Sequence, residues 1–122
     1  MTGVQTCALP IWLETQNVRY AEIMVAAGVV LWKEQDFAAI FDAICTAAEE
    51  SAVQVRWILD AVRQFGVEAA MQVAELAVER GEQGVVALGI GGSEERGPAS
   101  WFQDVFMFAK REGLHLTAHI NT

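Results

Sequence analysis

Hydrophobic residues follow two different spacings along the chain, and the changes between them predict its secondary structure. Apolar runs typical of β-strands occupy residues 17–25, 53–59, 85–90 and 114–119. Between these runs, apolar residues recur every three or four positions, as they do on one face of an amphipathic helix. The pattern therefore predicts strand and helix in alternation, three times over, followed by a last strand.

Signals at the helix ends support this division. Asp36 is a good N-cap for the first helix, and Gly81 a C-cap for the second. Pro98 opens the third helix, where its missing N–H costs nothing, and Gly113 ends it. The three apolar stripes are Phe37, Ile40, Phe41, Ile44, Cys45 and Ala48; Val67, Ala70, Met71, Ala74, Ala77 and Val78; and Phe102, Val105, Phe106 and Ala109.

This alternation indicates an α/β fold in which parallel strands are joined by three right-handed crossover helices. Two architectures fit: an open doubly wound sheet, or part of a (β/α)8 TIM barrel. A complete barrel needs about 250 residues. With 122 residues, the chain could supply only roughly half of one.

The first twelve residues, MTGVQTCALPIW, show neither period. They resemble a translated sequencing-adapter read-through more than a protein segment, and a disordered N-terminus is the alternative. We therefore expect residues 1–12 to be a non-native or disordered segment, and residues 13–122 to form the partial barrel domain.

Composition excludes several functions. The chain has 16 acidic and 8 basic residues, a net charge of −8, which argues against binding nucleic acid or an anionic membrane surface. Its 53% hydrophobic content suits a sheet covered on both faces. Cys45 lies on an apolar stripe, as expected of a buried reduced thiol. No signal peptide is evident, so a cytoplasmic location is expected.

The last predicted strand carries the first candidate site residue. Strand alternation puts His115, Thr117 and His119 on one face, with Leu114 and Leu116 on the other. Polar residues at the carboxyl ends of barrel strands are commonly catalytic, and histidine is the commonest metal ligand. A purely structural hydrogen bond is the alternative role for His119.

A second candidate follows the third strand. Adjacent Gly91 and Gly92 would let a ligand approach the backbone closely, although a tight turn is the alternative. A dinucleotide-binding fingerprint fails here, because the third glycine position falls on Glu94.

Two charged residues interrupt apolar strands that should be neighbours. Glu22 lies in the first predicted strand and Arg56 in the second. A buried charge is expensive unless it is paired, so a structural ion pair between them is predicted. Outward-pointing side chains at a strand edge are the alternative.

From residue 85 onward the chain resembles the middle of the adenosine deaminase family, whose members are zinc-dependent barrels of the amidohydrolase type. The family motif aspartate-leucine-alanine-glycine-aspartate-glutamate is matched by residues 89–94, GIGGSE. The family's histidine-alanine-glycine-glutamate is matched by residues 119–122, HINT. Upstream, residues 20–23 (YAEI), and residues 55–59 (VRWIL) with Arg63, look like the family's second and third strands.

The resemblance assigns roles residue by residue. It implies that His119 is a zinc ligand and that the backbone N–H of Gly92 binds a ring nitrogen of the purine. Thr122 stands where the family has its catalytic glutamate, and Gly89 where it has an aspartate. Threonine has no carboxyl group that titrates near neutral pH, so no catalytic residue is assigned in this chain.

The resemblance implies hydrolytic removal of the amino group of an adenosine-like purine nucleoside by a zinc enzyme, in which zinc lowers the pKa of bound water. The other zinc ligands of the family are missing, so this chain is expected to be an inactive internal fragment covering strands two to five. Two alternatives stay open: a non-catalytic doubly wound binding module, and a related barrel deaminase acting on another aminated substrate.

Overall fold

Four parallel strands form a single sheet in the computed structural model, which describes residues 15–92 and 95–118 together with Pro10 and Leu13. The strands are β1 (Tyr20–Val25), β2 (Gln54–Val62), β3 (Val85–Gly91) and β4 (His115–Ala118). They lie in the order β1-β2-β3-β4, so each strand pairs with the next one along the chain. A doubly wound sheet needs a point where this order reverses, and the described sheet has none.

Helices fill each of the three crossovers. The α-helices are α1 (Ala27–Trp32) and α2 (Phe37–Glu49) in the first crossover, α3 (Val67–Glu79) in the second and α4 (Gln103–Arg111) in the third. Single turns of 3-10 helix cover Arg63–Phe65, Gly81–Gln83 and Ala99–Phe102. Helix α1 was not predicted, because six residues are too few to show a period and no side chain caps its start.

The predicted helix ends are right in part. The Asp36 carboxylate accepts a hydrogen bond from the backbone N–H of Ala39 at 3.1 Å, so Asp36 is the N-cap of α2. Pro98 precedes a 3-10 turn that leads into α4, rather than α4 itself. The prediction for Gly81 is wrong. Helix α3 ends at Glu79 with Arg80 as its C-cap, and the left-handed residue before β3 is Gly84, with φ of 97°.

The hydrophobic core lies between the sheet and the helices. Trp57, Leu59 and Ala61 on β2 are buried in one cluster with residues of α2, α3 and α4. Trp57 meets the Phe41 ring of α2 edge-on, with centroids 5.8 Å apart. Because side chains alternate along a strand, Ile58, Asp60 and Val62 point to the opposite face of β2. We call this opposite face of the sheet its inner face.

No helix in the described ranges is long and apolar enough to cross a membrane. Residues 1–9, 11 and 12 lie outside the described residues, so the expectation of a non-native or disordered N-terminal segment stays a prediction.

Candidate active site at the carboxyl ends of the strands

Gly92 lies at the carboxyl end of β3, where the site was predicted. Gly91, the last residue of β3, is in register with Val62, the last residue of β2. Gly92 itself has φ of 104°, a conformation that side chains other than glycine rarely adopt. A Cβ atom there would also collide with Oε1 of Gln64. The backbone conformation therefore favours glycine at this position, and any larger residue would also have to displace the end of the Gln64 side chain.

A row of three residues crosses the inner face one level below Gly92. Asp60 on β2 is in register with Gly89 on β3, and Gly89 is in register with Thr117 on β4. A Cβ atom on Gly89 would lie 3.0 Å from Oδ1 of Asp60 and 3.1 Å from Oγ1 of Thr117. The missing side chain of Gly89 thus leaves its space to a carboxylate and a hydroxyl group.

Asp60 is a site residue that sequence reasoning missed. The predicted second strand ends at Leu59, whereas β2 continues to Val62 and carries Asp60 on its inner face. A signal was present, since Asp60 is a single carboxylate within the apolar run WILDAV. The same reasoning that singled out Glu22 and Arg56 would have found it had the strand been extended by three residues.

Arg63 is the buried charged residue of this region. Its side chain is 6% exposed, and its Nη1 donates a hydrogen bond to the backbone carbonyl of Gly97 at 3.0 Å. This contact joins the end of β2 to the segment that follows β3. The sequence indicated Arg63 only through the family resemblance, and no local pattern predicted its contact with Gly97.

The predicted ion pair between Glu22 and Arg56 is wrong, although their placement is right. The two residues are directly opposite in the register of β1 and β2, and so share a face. Glu22 is exposed and accepts a hydrogen bond from the Tyr20 hydroxyl at 2.9 Å, while Arg56 donates to the carbonyl of Val55 at 3.1 Å. Glu22 needs no cationic partner, because water solvates its charge. The Tyr20 hydrogen bond and the nearby negative charge of Glu22 also raise the pKa of Tyr20.

The faces of β4 agree with the predicted alternation as far as the structure describes them. Leu114 is buried beside the helical layer, whereas Thr117 lies on the inner face next to Gly89. His119 and Thr122 lie outside the described residues, so their roles stay predictions.

The described residues do not by themselves make a metal site. Nowhere in the described ranges do three or more His, Cys, Asp or Glu side chains group closely enough to hold a metal ion. Asp60 is the acidic residue of the inner-face row, and His115 is the described histidine on β4. The donor set does not fit a four-coordinate zinc ion, which needs three protein ligands and an open position.

Comparison with known sequences decides the family. The adenosine deaminase family matches residues 12–121, nearly the whole chain. The chain belongs to the adenosine deaminase family. The resemblance seen in the sequence is therefore confirmed at the level of the family, and the roles of the site residues stay predictions.

Curated relatives in the family are deaminases that are named for different substrates. The chain is 28% identical over 107 residues to an adenine deaminase of Rhizobium leguminosarum, covering 84% of this chain and 33% of the relative. It is 35% identical over 109 residues to an adenine deaminase of Cupriavidus metallidurans, covering 84% and 30%. It is 31% identical over 110 residues to an aminodeoxyfutalosine deaminase of Streptomyces coelicolor, covering 85% and 28%. The chain thus spans about a third of the length of these relatives.

Solved structures confirm the fold. An N6-mAMP deaminase of Arabidopsis superposes with a TM-score of 0.82 at 22% identity, covering 99% of this chain and 40% of that one. An amidohydrolase of Burkholderia ambifaria, solved with bound Zn, superposes with a TM-score of 0.83 at 22% identity, covering 97% and 34%. The sheet described above is therefore an arc of a TIM barrel, which was the second of the two predicted architectures.

Proposed function

We propose that this chain carries part of the active site of a zinc-dependent deaminase that removes the amino group of a purine nucleoside by hydrolysis. The reaction exchanges the C–NH2 group of the purine for C=O, and water supplies the oxygen while ammonia leaves. The observation that carries the proposal is the position of Gly92. It follows β3 directly, at the end of the sheet where barrel enzymes bind their substrates.

In this proposal Gly92 binds the purine through its backbone. Oε1 of Gln64 occupies the space where a Cβ atom would lie, next to the left-handed backbone of Gly92. Its N–H would donate to a ring nitrogen, holding the base in one orientation. Asp60 and Thr117 lie one level deeper on the inner face, where a carboxylate and a hydroxyl group can orient groups bound above them.

Zinc and the proton-transfer residue form the part of the proposal that rests on the family. Continuing the alternation of β4 would put His119 on the same face as His115 and Thr117, and the family resemblance makes it a zinc ligand. No described metal-ligand group supports this assignment. Thr122 cannot replace the family glutamate in moving protons. We therefore propose that the 122-residue chain is inactive on its own.

The substrate is the finer part of the proposal. Adenosine is proposed first, and the second candidate is another aminated purine compound. The relatives support this second candidate, because they include an adenine deaminase and an aminodeoxyfutalosine deaminase. A cytoplasmic location also stays a proposal.

Two preparations test the function. The purified 122-residue chain, incubated with adenosine and excess zinc, should form no more inosine than a protein-free control. The product of the uninterrupted genomic reading frame should release ammonia from adenosine, adenine or aminodeoxyfutalosine, or methylamine from N6-methyl-AMP, and a chelator should abolish the release. Chelator-sensitive inosine formation by the short chain would disprove its inactivity. If the longer protein released neither ammonia nor methylamine from any of these substrates, the deaminase function would be disproved.

A further inference from the structure

The residues that follow β2 hold both ends of the segment that follows β3. We call residues 92–97 the glycine loop, because Gly92 begins it and Gly97 ends it; residues 93 and 94 lie outside the described structure. We propose that Arg63 and Gln64 are positioning residues that hold Gly92 and Gly97 in place, and thereby set the direction in which the Gly92 N–H points. The inference rests on the proposed purine-binding role of Gly92.

The contact at Gly97 is close and directional. Arg63 Nη1 donates to the Gly97 carbonyl at 3.0 Å. A Cβ atom at Gly97 would lie 2.8 Å from both the Cβ and the backbone carbonyl oxygen of Arg63. These distances leave no space for any side chain, so the loop and the end of β2 are in direct backbone contact. The backbone of Gly97 is not left-handed, so it is the close approach of Arg63 that requires glycine at this position.

A second contact lies at Gly92, at the other end of the glycine loop. A Cβ atom there would collide with Oε1 of Gln64 and would lie 3.4 Å from the backbone nitrogen of Arg63. Arg63 and Gln64 are consecutive in the 3-10 turn that ends β2. One short turn therefore touches the first and the last residue of the glycine loop.

Burial of Arg63 argues for more than a general stabilising role. The side chain is 6% exposed, and its Nε atom makes no hydrogen bond within the described residues. No described carboxylate forms an ion pair with it. A buried cation loses its hydration, and one hydrogen bond offsets only part of that loss. The hydrogen bond that Arg63 makes in the described structure is with Gly97 of the loop, which supports a role in positioning that loop.

Arg96 provides a way to measure how firmly the loop is held. It is exposed, and the Gly97 that follows it is buried against Arg63. Trypsin cleaves after arginine only where the backbone can leave its native position, so the rate of cleavage after Arg96 reports how firmly the loop is held. Arg63→Met should increase that rate by about tenfold or more, and Arg63→Lys should partly restore it by donating one hydrogen bond. The matched control is Arg56→Met, which removes an arginine of β2 that contacts its own neighbour Val55.

A second pair of variants tests the contact from the loop side if Arg63→Met fails to fold. Gly97→Ala forces a Cβ atom against Arg63 and should likewise speed cleavage after Arg96. Gly81→Ala is its control, because a Cβ atom at Gly81 would have no neighbour within 4 Å. Cleavage rates in Arg63→Met and Gly97→Ala equal to those of their controls would overturn the inference.

Adenosine binding, measured by equilibrium dialysis with the full chain, separates positioning from stability. Arg63→Met should weaken binding by about tenfold while its tryptophan-fluorescence unfolding midpoint stays near that of Arg56→Met. Unchanged affinity in Arg63→Met would overturn the positioning role. If the wild-type chain does not bind adenosine at all, the role of Gly92 in purine binding fails, and with it the effect on the ligand. The cleavage rates would still show whether Arg63 holds the loop.

Discussion

Cys45 shows how one residue on the apolar stripe of α2 is controlled by its surroundings. Burial is the largest cause that raises the pKa of its thiol from 9.0 to about 11, and the carboxylates of Asp42 and Glu49 add to the effect. Arg80 acts in the opposite direction. The thiol is therefore neutral at physiological pH, as expected for a structural cysteine rather than a nucleophile.

We expect Cys45 to react slowly with iodoacetamide. At pH 8 its thiolate fraction should be about a hundredfold below that of the unfolded chain, and alkylation should accelerate as the pH rises toward 11. The sign also applies to stability. Folding favours the protonated thiol over the thiolate. This contribution to the free energy of unfolding is fully present below pH 9 and is lost as the pH rises from 9 to 11. Mass spectrometry of a Cys7→Ser variant, native and in urea, measures the reaction. Equal rates in the two states at pH 8 would contradict the assignment.

At the scale of elements, the close packing of α1 on β2 depends on a glycine. A Cβ atom at Gly28 would lie 3.1 Å from both the Asp60 carbonyl oxygen and the Val62 nitrogen. Both atoms belong to the backbone of β2, which cannot turn aside as a flexible side chain can. The short helix therefore lies directly against the strand that carries Asp60 and leads into Arg63.

Gly28→Ala should lower the free energy of unfolding despite improving helix propensity. Alanine favours an exposed helix interior by about 1 kcal/mol over glycine, whereas overpacking a close contact costs about 1–3 kcal/mol. The clash should win, with a net loss of about 1 kcal/mol. Urea denaturation followed by tryptophan fluorescence, with Gly81→Ala as the control in open space, measures the change. A Gly28→Ala variant as stable as the control would mean that α1 does not pack as described.

At the scale of the whole molecule, the sheet leaves two strands without a second described neighbour. β1 and β4 are the first and last strands in its order, and Leu116 on β4 is 42% exposed. An edge strand presents unpaired backbone N–H and C=O groups to other chains.

We therefore expect the 122-residue chain to self-associate at micromolar concentration. Sedimentation velocity should show species larger than the 13.3 kDa monomer. Leu116→Lys should reduce their amount, because a charged edge residue disfavours strand pairing. Met107→Lys, an equally polar change at an exposed position on α4, is the control. A monomer at all concentrations would contradict the prediction.

The sequence by itself determined the four strands, the crossover helices and the family, because periods of two and three to four residues reflect which face of each element meets the core. The stripes of α2 and α3 were correct because burying Phe41, Ile44, Ala70 and Ala74 requires that spacing. The placement of Gly92 at the carboxyl end of β3 followed from the same logic, because Gly92 comes directly after the buried run of that strand.

Only the tertiary structure decided which residues meet across elements. The predicted ion pair between Glu22 and Arg56 does not form, because Glu22 is exposed and each of the two groups makes its own local hydrogen bond. The tertiary structure chose the barrel arc over the doubly wound sheet, since strand order depends on how crossovers pack and not on the strands themselves. It also brought Arg63 to Gly97, residues 34 positions apart along the chain. Such a contact has no sequence period, because it arises from the register of two strands that each fold for reasons of their own.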